Sequence, residues 1–180
     1  MGDKIIVLAS FLNYVYNNLI THIPWHGFRL FFLRLFNKKI DSSAKILMHV
    51  RILCFWDVVI GKNVVINQYC LLDCRKYPVI IEHNTDIGPY TRIWTLGHDP
   101  DDNEHGVIGG EVRIGHHVWI ASGVTILPNI TLGDGCVIAA AAVVHKSVEP
   151  KKIVAGNPAR EVRKRKNSLN YQLAFTPIFE

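Results

Sequence analysis

A six-residue spacing of large aliphatic side chains runs through most of this chain and narrows the folds that it can adopt. Fifteen positions keep a step of six residues, with three breaks. They are Ile40, Ile46, Ile52, Ile60, Ile66, Leu72, Ile81, Ile87, Ile93, Ile114, Ile120, Ile126, Leu132, Ile138 and Val144. Six residues advance an α-helix through about 600°, so an amphipathic helix does not produce this spacing.

A second residue, usually small or β-branched, follows four positions after twelve of the fifteen. The twelve are Ala44, Val50, Val64, Cys70, Thr85, Thr91, Val118, Val124, Ile130, Cys136, Ala142 and Val148. The residue four positions after a core aliphatic and the next core aliphatic, six positions after it, are two residues apart, so their side chains point to the same face of a strand. The glycines and asparagines between them tolerate the positive φ of tight corners. Three short strands per turn predict a mainly β protein, a parallel β-helix with coils about 4.8 Å apart.

The three breaks in the spacing all follow the third side of a coil, after positions 52, 72 and 93. We therefore expect three insertions at one corner of the β-helix, two, three and fifteen residues long. The longest lies in residues 95–112, TLGHDPDDNEHGVIGGEV, which contain two histidines and five acidic residues. The predicted organisation is an N-terminal helical cap in 1–39, the β-helix in 40–150 and a C-terminal extension in 151–180. Residues 167–180 either pack on a neighbouring subunit or fray.

The repeats and three motifs resemble the hexapeptide-repeat acyltransferases over about residues 40–163. The motifs are TLGHDPDD, GGEVRIGHHVWIASGVTILPNITLGDGCVIAAAAVV and IVAGNPAR. The resemblance is strongest to the galactoside/maltose O-acetyltransferase group and to enzymes that acetylate capsular or O-antigen sugars. It implies a left-handed β-helix, a homotrimer, and acetyl-CoA bound in clefts between subunits. The implied function is acetyl-CoA-dependent O-acetylation of a sugar hydroxyl, in cell-surface polysaccharide biosynthesis.

His98 is the predicted catalytic residue. Transfer of an acetyl group from a thioester to a hydroxyl needs a base for the hydroxyl proton, and histidine titrates near neutral pH. His98 follows Gly97, where the chain leaves the coil, so its side chain belongs to the inserted loop. Asp99 beside it is expected to orient the imidazole or to contact the acceptor. The simpler alternative for these residues is a solvated polar loop.

The family resemblance assigns further residues to the two substrates. Asn67 and Asp73 fall at or near acceptor-binding positions. The positions expected to bind acetyl-CoA are Trp119, Ser122, Ala140, Lys146, Arg160 and Arg163. Guanidinium groups suit the phosphates of CoA. Trp119 could equally pack in a trimer contact, and the arginines could belong to a solvated basic tail.

The composition and charge of the N-terminal segment suggest contact with a membrane surface. Residues 11–39 lie outside the repeat. In the second half of this segment, apolar side chains would cover nearly the whole circumference of a helix, and the cations are Arg29, Arg34, Lys38 and Lys39. We expect a helical cap that also contacts an anionic membrane. The apolar run 5–12 is too short to span a bilayer and lacks a small-x-small cleavage site, so neither a transmembrane helix nor a signal peptide is predicted. The four cysteines form no CxxC pair, which favours free thiols in a reducing cytoplasm.

Other functions account for less of the sequence. The γ-carbonic anhydrases share the expected fold and bind zinc through histidines, two of them five residues apart. Here Ala121 and Ser122 stand five residues after His116 and His117, so no metal is predicted. A non-catalytic scaffold would explain the coil but not the histidine loop. Residues 160–166 (REVRKRK) supply +4 of the net charge of +5, yet no nucleic-acid motif accompanies them. An amino sugar or a small molecule remains an alternative acceptor.

Overall fold

The computed structural model describes residues 3–180 as a three-faced parallel β-helix closed at one end by helices. Face A consists of β3 (Val58–Ile60), β6 (Val79–Ile81), β11 (Val112–Ile114) and β14 (Thr131–Leu132). Face B consists of β1 (Lys45–Ile46), β4 (Val65–Ile66), β7 (Asp86–Ile87), β12 (Trp119–Ile120), β15 (Val137–Ile138), β17 (Lys152–Ala155) and β18 (Arg160–Lys164). Face C consists of β2 (Arg51–Ile52), β5 (Leu71–Leu72), β8 (Arg92–Ile93), β13 (Thr125–Ile126) and β16 (Val143–Val144).

The six-residue spacing forms the core, as predicted. All fifteen aliphatic side chains are at most 1% exposed. On face B the register places Ile46, Ile66, Ile87, Ile120 and Ile138 in one continuous row. Burying one such side chain contributes about 1.5–3 kcal/mol, so the row stabilises the coil strongly. The coil continues through β17, which pairs parallel to β15, and ends at Ala155.

The corners depend on two different positions of the repeat. The residue three places after a core aliphatic has positive φ at ten corners: His49, Asn63, Tyr69, Asn84, Tyr90, His117, Gly123, Asn129, Gly135 and Ala141. The glycines directly after a core residue do not share this conformation. At Gly88, an added Cβ would lie 2.7 Å from the carbonyl carbon of Ala121 and 2.8 Å from the nitrogen of Ser122. These glycines therefore permit close approach of the next coil, and the expectation of positive φ for them was wrong.

Helices close the N-terminal end of the core. Helix α1 spans Asp3–Asn18, a 3₁₀ turn spans Ile20–His22, and α2 spans His26–Phe36. A further 3₁₀ turn at Phe55–Asp57 follows β2. The Asn17 side chain donates to the carbonyl of Ile52 at 2.8 Å and accepts from its amide at 2.9 Å, which fixes α1 to the first coil. Tyr16 and Leu33 are buried against this coil, as a cap requires.

The cations of this cap do not all face outward. Arg29 is 1% exposed and donates to the carbonyls of Ile23, Ile46 and Glu180. Arg34 donates to the carbonyl of Ile40 at 3.0 Å. Arg29 is therefore unavailable to an anionic surface, contrary to the role expected for it. In the described part of the chain, no helix has both the length and the apolar character needed to cross a membrane.

Residues 165–180, which we call the C-terminal strap, run along the corner between face A and face B. Arg165 begins the strap and donates to the carbonyls of His117 at 2.8 Å and Gly135 at 3.1 Å. The strap ends at the helical cap, where the backbone of Phe179 forms an antiparallel β-bridge with that of Trp25. The tail therefore packs along the length of its own β-helix, an arrangement that the sequence did not predict.

Candidate active site

The longest insertion forms a β-hairpin on the corner between face C and face A. Strand β9 (Leu96–His98) pairs antiparallel with β10 (Val107–Gly109), and the polar tip lies between them. The two shorter insertions, after β2 and after β5, leave from the same corner. The prediction that all three insertions share one corner is therefore confirmed by the strand order.

Two carboxylates determine the shape of the hairpin tip. Asp102 accepts from the amides of Glu104 and Gly106, both at 2.9 Å, through its two oxygens. Asp99 accepts from the amide of Asp101 at 3.0 Å. The backbone of the tip is thus held by its own acidic side chains, which gives Asp102 a structural role. Asp99, which follows His98 in the sequence, has one oxygen engaged by the loop.

His98 is exposed at the end of β9, and its ring is oriented by His105. The Nδ1 atom of His98 lies 2.8 Å from the carbonyl oxygen of His105, and the two rings stack with centroids 3.9 Å apart. Because a carbonyl oxygen can only accept, Nδ1 carries the proton of the neutral ring. The lone pair then resides on Nε2, on the opposite edge. A neutral ring held in this way can accept a proton at Nε2, which is what a general base does.

The two predicted acceptor-binding residues lie on different corners. Asp73 follows β5 on the hairpin corner, one coil before His98, but its carboxylate is buried. Arg75 donates Nε–H to one oxygen of Asp73 at 2.9 Å and a terminal N–H to the other at 3.2 Å. The exposed group at this position is therefore Arg75. Asn67 lies on the corner between face B and face C and donates to the Asp86 carboxylate at 3.1 Å. Within one chain, Asn67 does not share a site with His98.

Three of the six residues expected to bind acetyl-CoA line one cavity of about 710 Å³. Trp119, Ala140 and Arg163 lie on its wall, and Trp119 is 49% exposed. Small side chains at Ala121, Ala139 and Ala140 leave the coil backbone open to a ligand, and the cations Arg163, Arg165 and Lys166 surround one side. The cavity therefore combines an aromatic wall, a smooth floor and positive charge. These are the properties that a long, phosphate-bearing thioester needs.

Two further residues line a second cavity of about 520 Å³. Lys146 and Arg160 lie on its wall together with His145, and Arg160 stands at the start of β18. Ser122, the sixth residue, is exposed on the corner between face B and face C and lines neither cavity.

Sequence reasoning missed two residues that line the first cavity, Arg165 and Lys166. The available signal was the basic run REVRKRK, in which Arg165 and Lys166 follow Arg163.

Comparison with known proteins agrees with this architecture. The family of bacterial transferase hexapeptide repeats, six repeats long, matches residues 111–146. A Saccharomyces cerevisiae protein named as an acetyltransferase is 39% identical over 113 residues, which are 60% of this chain and 56% of that protein. The chain spans a little over half the length of the curated relatives that it matches.

Solved structures match over nearly the whole chain. A maltose O-acetyltransferase from Clostridium difficile 630 has a TM-score of 0.80 at 28% identity, covering 92% of this chain and 90% of that one. A hexapeptide-repeat acetyltransferase from Vibrio cholerae, solved with acetyl coenzyme A, also has a TM-score of 0.80, at 25% identity and with 92% and 91% coverage. Residues 111–146 therefore match the hexapeptide repeat, and the chain has the left-handed β-helix fold of these acetyltransferase structures, as its repeats and motifs predict.

Proposed function

We propose that this chain is an acetyl-CoA-dependent O-acetyltransferase acting on a sugar hydroxyl, with His98 as general base. The observation that carries the proposal is the orientation of the His98 ring. Its Nδ1 proton is directed at the carbonyl of His105, which leaves the Nε2 lone pair on an exposed edge of the hairpin. The acceptor proton passes to Nε2 as the hydroxyl oxygen attacks the thioester carbonyl. Collapse of the tetrahedral intermediate then releases the CoA thiolate, which takes up that proton.

The cavity beside Trp119 is proposed to hold the acetyl-CoA arm. Trp119 presents a large exposed surface, while the neighbouring alanines allow the pantetheine to lie against the coil. Arg163 and Lys166 supply positive charge for the phosphates, and Lys146 and Arg160 supply more in the second cavity. The Vibrio cholerae structure with acetyl coenzyme A supports this choice of co-substrate. Ser122 remains a predicted contact from the adjoining corner.

The acceptor site is proposed to form between subunits. Because Asn67 and His98 lie on different corners of one chain, they can meet only if Asn67 comes from a neighbouring copy. A homotrimer with clefts between subunits satisfies that requirement. The maltose O-acetyltransferase with this fold supports a sugar as acceptor. Asp73, which is paired with Arg75, acts in this arrangement through Arg75 rather than by direct contact. A role in cell-surface polysaccharide synthesis, a cytoplasmic location and peripheral membrane contact stay predictions.

The proposal is tested by release of free thiol from acetyl-CoA in the presence of nucleotide sugars, oligosaccharides, amino sugars and small hydroxylated antibiotics. We expect a sugar hydroxyl to be the productive acceptor. His98→Ala should lower kcat about 10²- to 10⁴-fold, the usual contribution of general-base catalysis. The matched control is His22→Ala, which removes an exposed histidine of the cap and should keep full activity.

Two outcomes would contradict the proposal. Activity of His98→Ala close to that of the wild type would exclude His98 as the base. Thiol release with none of the acceptors, together with no binding of acetyl-CoA, would favour the non-catalytic scaffold. Circular dichroism and size-exclusion chromatography of His98→Ala establish that any loss of activity occurs in a folded protein of unchanged size.

A further inference from the structure

Three histidines from two successive coils meet on the corner between face A and face B, which is not the hairpin corner. His83 follows β6, and His116 and His117 follow β11. The register pairs Ile81 with Ile114, so His83 lies directly over His116, with ring centroids 4.9 Å apart. One ring nitrogen of each histidine lies within 4.8 Å of the other two. Sequence reasoning missed this cluster because it tested a spacing of five residues, whereas the coil register brings together residues 33 positions apart.

The hydrogen bonds of the cluster determine where its protons reside. The Nε2 atom of His117 lies 2.9 Å from the carbonyl oxygen of Tyr171, so Nε2 carries the proton. The Nε2 atom of His116 lies 3.3 Å from a carboxylate oxygen of Asp134, a neighbour that favours a proton on this nitrogen. In the neutral rings both Nδ1 atoms then carry lone pairs, yet these atoms are 2.9 Å apart. Two facing lone pairs repel at this distance, so a positive species, either a proton or a metal ion, is favoured between them.

We propose that His83, His116 and His117 bind a divalent transition-metal ion of the zinc type. Neutral imidazoles are favoured ligands of Zn²⁺, and three of them leave a fourth position for water. In metal sites the outer N–H of a ligating histidine is usually bonded to a carboxylate or a backbone carbonyl. Asp134 and Tyr171 supply both kinds of partner. The cluster therefore has its ligands and the groups that orient them.

The three ring nitrogens lie within 4.8 Å of one another and must shift to coordinate one ion. Zn–N bonds of about 2.0–2.1 Å in a tetrahedral site separate two nitrogens by roughly 3.3 Å, so the Nδ1 pair would open by a few tenths of an ångström. His83 is exposed, and its side chain can close the remaining gap. Arg165 donates to the backbone carbonyl of His117, and its positive charge lowers the pKa of the His117 ring, so a bound ion must outweigh this repulsion.

The position of the cluster indicates what the ion does. His83 belongs to one coil, His116 and His117 to the next, and Tyr171 to the C-terminal strap. A bound ion would join two coils at a corner and orient the ring that holds the strap. The proposed role is structural and is independent of the acetyltransferase proposal.

The experiment is calorimetric titration of untagged protein with Zn²⁺, followed by Co²⁺ substitution. We expect one ion per chain, a tetrahedral Co²⁺ absorption spectrum, and a rise in Tm on addition of Zn²⁺. His83→Asn changes an exposed ligand that the fold does not need, and should weaken binding at least tenfold. His22→Asn is the control, since His22 is an exposed histidine outside the cluster, and its affinity should equal that of the wild type.

The proposal would be overturned by a titration without a one-to-one step, which would assign the short Nδ1–Nδ1 contact to a shared proton. Equal affinity of the wild type and His83→Asn would also overturn it. So would a Co²⁺ spectrum that His83→Asn leaves unchanged. Each measurement reports binding directly and requires no activity.

Discussion

His26 offers a direct test of how the helical cap is attached to the coil. This residue begins α2 and is 6% exposed, and its Nε2 atom accepts a hydrogen bond from the amide of Ile46 at 3.2 Å. An acceptor nitrogen must be unprotonated. Burial, with the nearby charges of Arg29 and Lys45, lowers the pKa of His26 from 6.5 to about 4. The cap therefore depends on a neutral imidazole.

The pH dependence follows from linkage. The unfolded chain binds the His26 proton with a pKa near 6.5, and the folded chain binds it more weakly. Acid thus favours the unfolded state: the stability is complete above pH 6.5 and is lost as the pH falls toward 4. One pKa unit corresponds to about 1.4 kcal/mol, so the loss from this residue between pH 7.5 and 4.5 is about 2.5 kcal/mol.

The comparison protein is His26→Gln, whose side-chain oxygen can still accept from Ile46 but does not titrate. Urea unfolding followed by circular dichroism at pH 7.5 and 4.5, at one protein concentration, gives the free energy of unfolding of both proteins. We expect the wild type to lose about 2.5 kcal/mol more than the variant. His49 and His117, whose pKa values are also lowered by burial, are present in both proteins and cancel in the difference.

An equal loss of stability in the two proteins would refute this reasoning, and so would a larger loss in His26→Gln. Either result would mean that His26 is protonated in the folded state or that the cap opens before the coil unfolds. A probe on the cap separates these two explanations. Trp25 adjoins His26, so in a variant that keeps Trp25 and replaces the other three tryptophans by Phe, the fluorescence should change in the same transition as the circular dichroism signal if the cap and coil unfold together.

Two further predictions concern the coil and the co-substrate cavity. Gly88→Ala should lower the free energy of unfolding by roughly 1–3 kcal/mol, measured in urea, because the new methyl group meets the backbone of Ala121 at 2.7 Å. Unchanged stability would show that the coils can separate at this corner. Trp119→Ala should raise KM for acetyl-CoA with a smaller change in kcat, because it removes the exposed wall of the cavity but not the base. A fall in kcat alone would place Trp119 in a subunit contact.

The aliphatic spacing predicted the fold because each buried row repeats one physical requirement. A residue at every sixth position must fill the same interior, so the register of Ile46, Ile66 and Ile87 could be read from the sequence. The hairpin corner followed from the same counting. The identity of the left-handed residues did not follow, since His49, Tyr69 and Tyr90 occupy them. These rings stack at 4.8 and 5.1 Å, close to the coil spacing, and this stacking offsets the strain of positive φ.

The sequence did not predict contacts that involve single residues and do not recur with the six-residue repeat. The burial of Arg29 depends on three carbonyl oxygens from distant parts of the chain. Asp73 was expected to contact the acceptor, and its pairing with Arg75 depends on a side-chain rotamer that composition does not specify. The C-terminal strap is held mainly by bonds to the backbone, such as those from Arg165. Such contacts are visible only once the coil register has placed the residues in space.

The last strand of face B also limits how copies of this protein can associate. An open coil exposes unpaired backbone groups at its edge, which invites end-to-end polymerisation. Strand β18 lies antiparallel on β17, so the edge no longer continues the parallel ladder, and it presents Arg160, Arg163 and Lys164. The edge of β16 is occupied too, by bonds between Val143 and residues 156 and 159. The segment that walls the cavity beside Trp119 therefore also caps the solenoid against fibre growth.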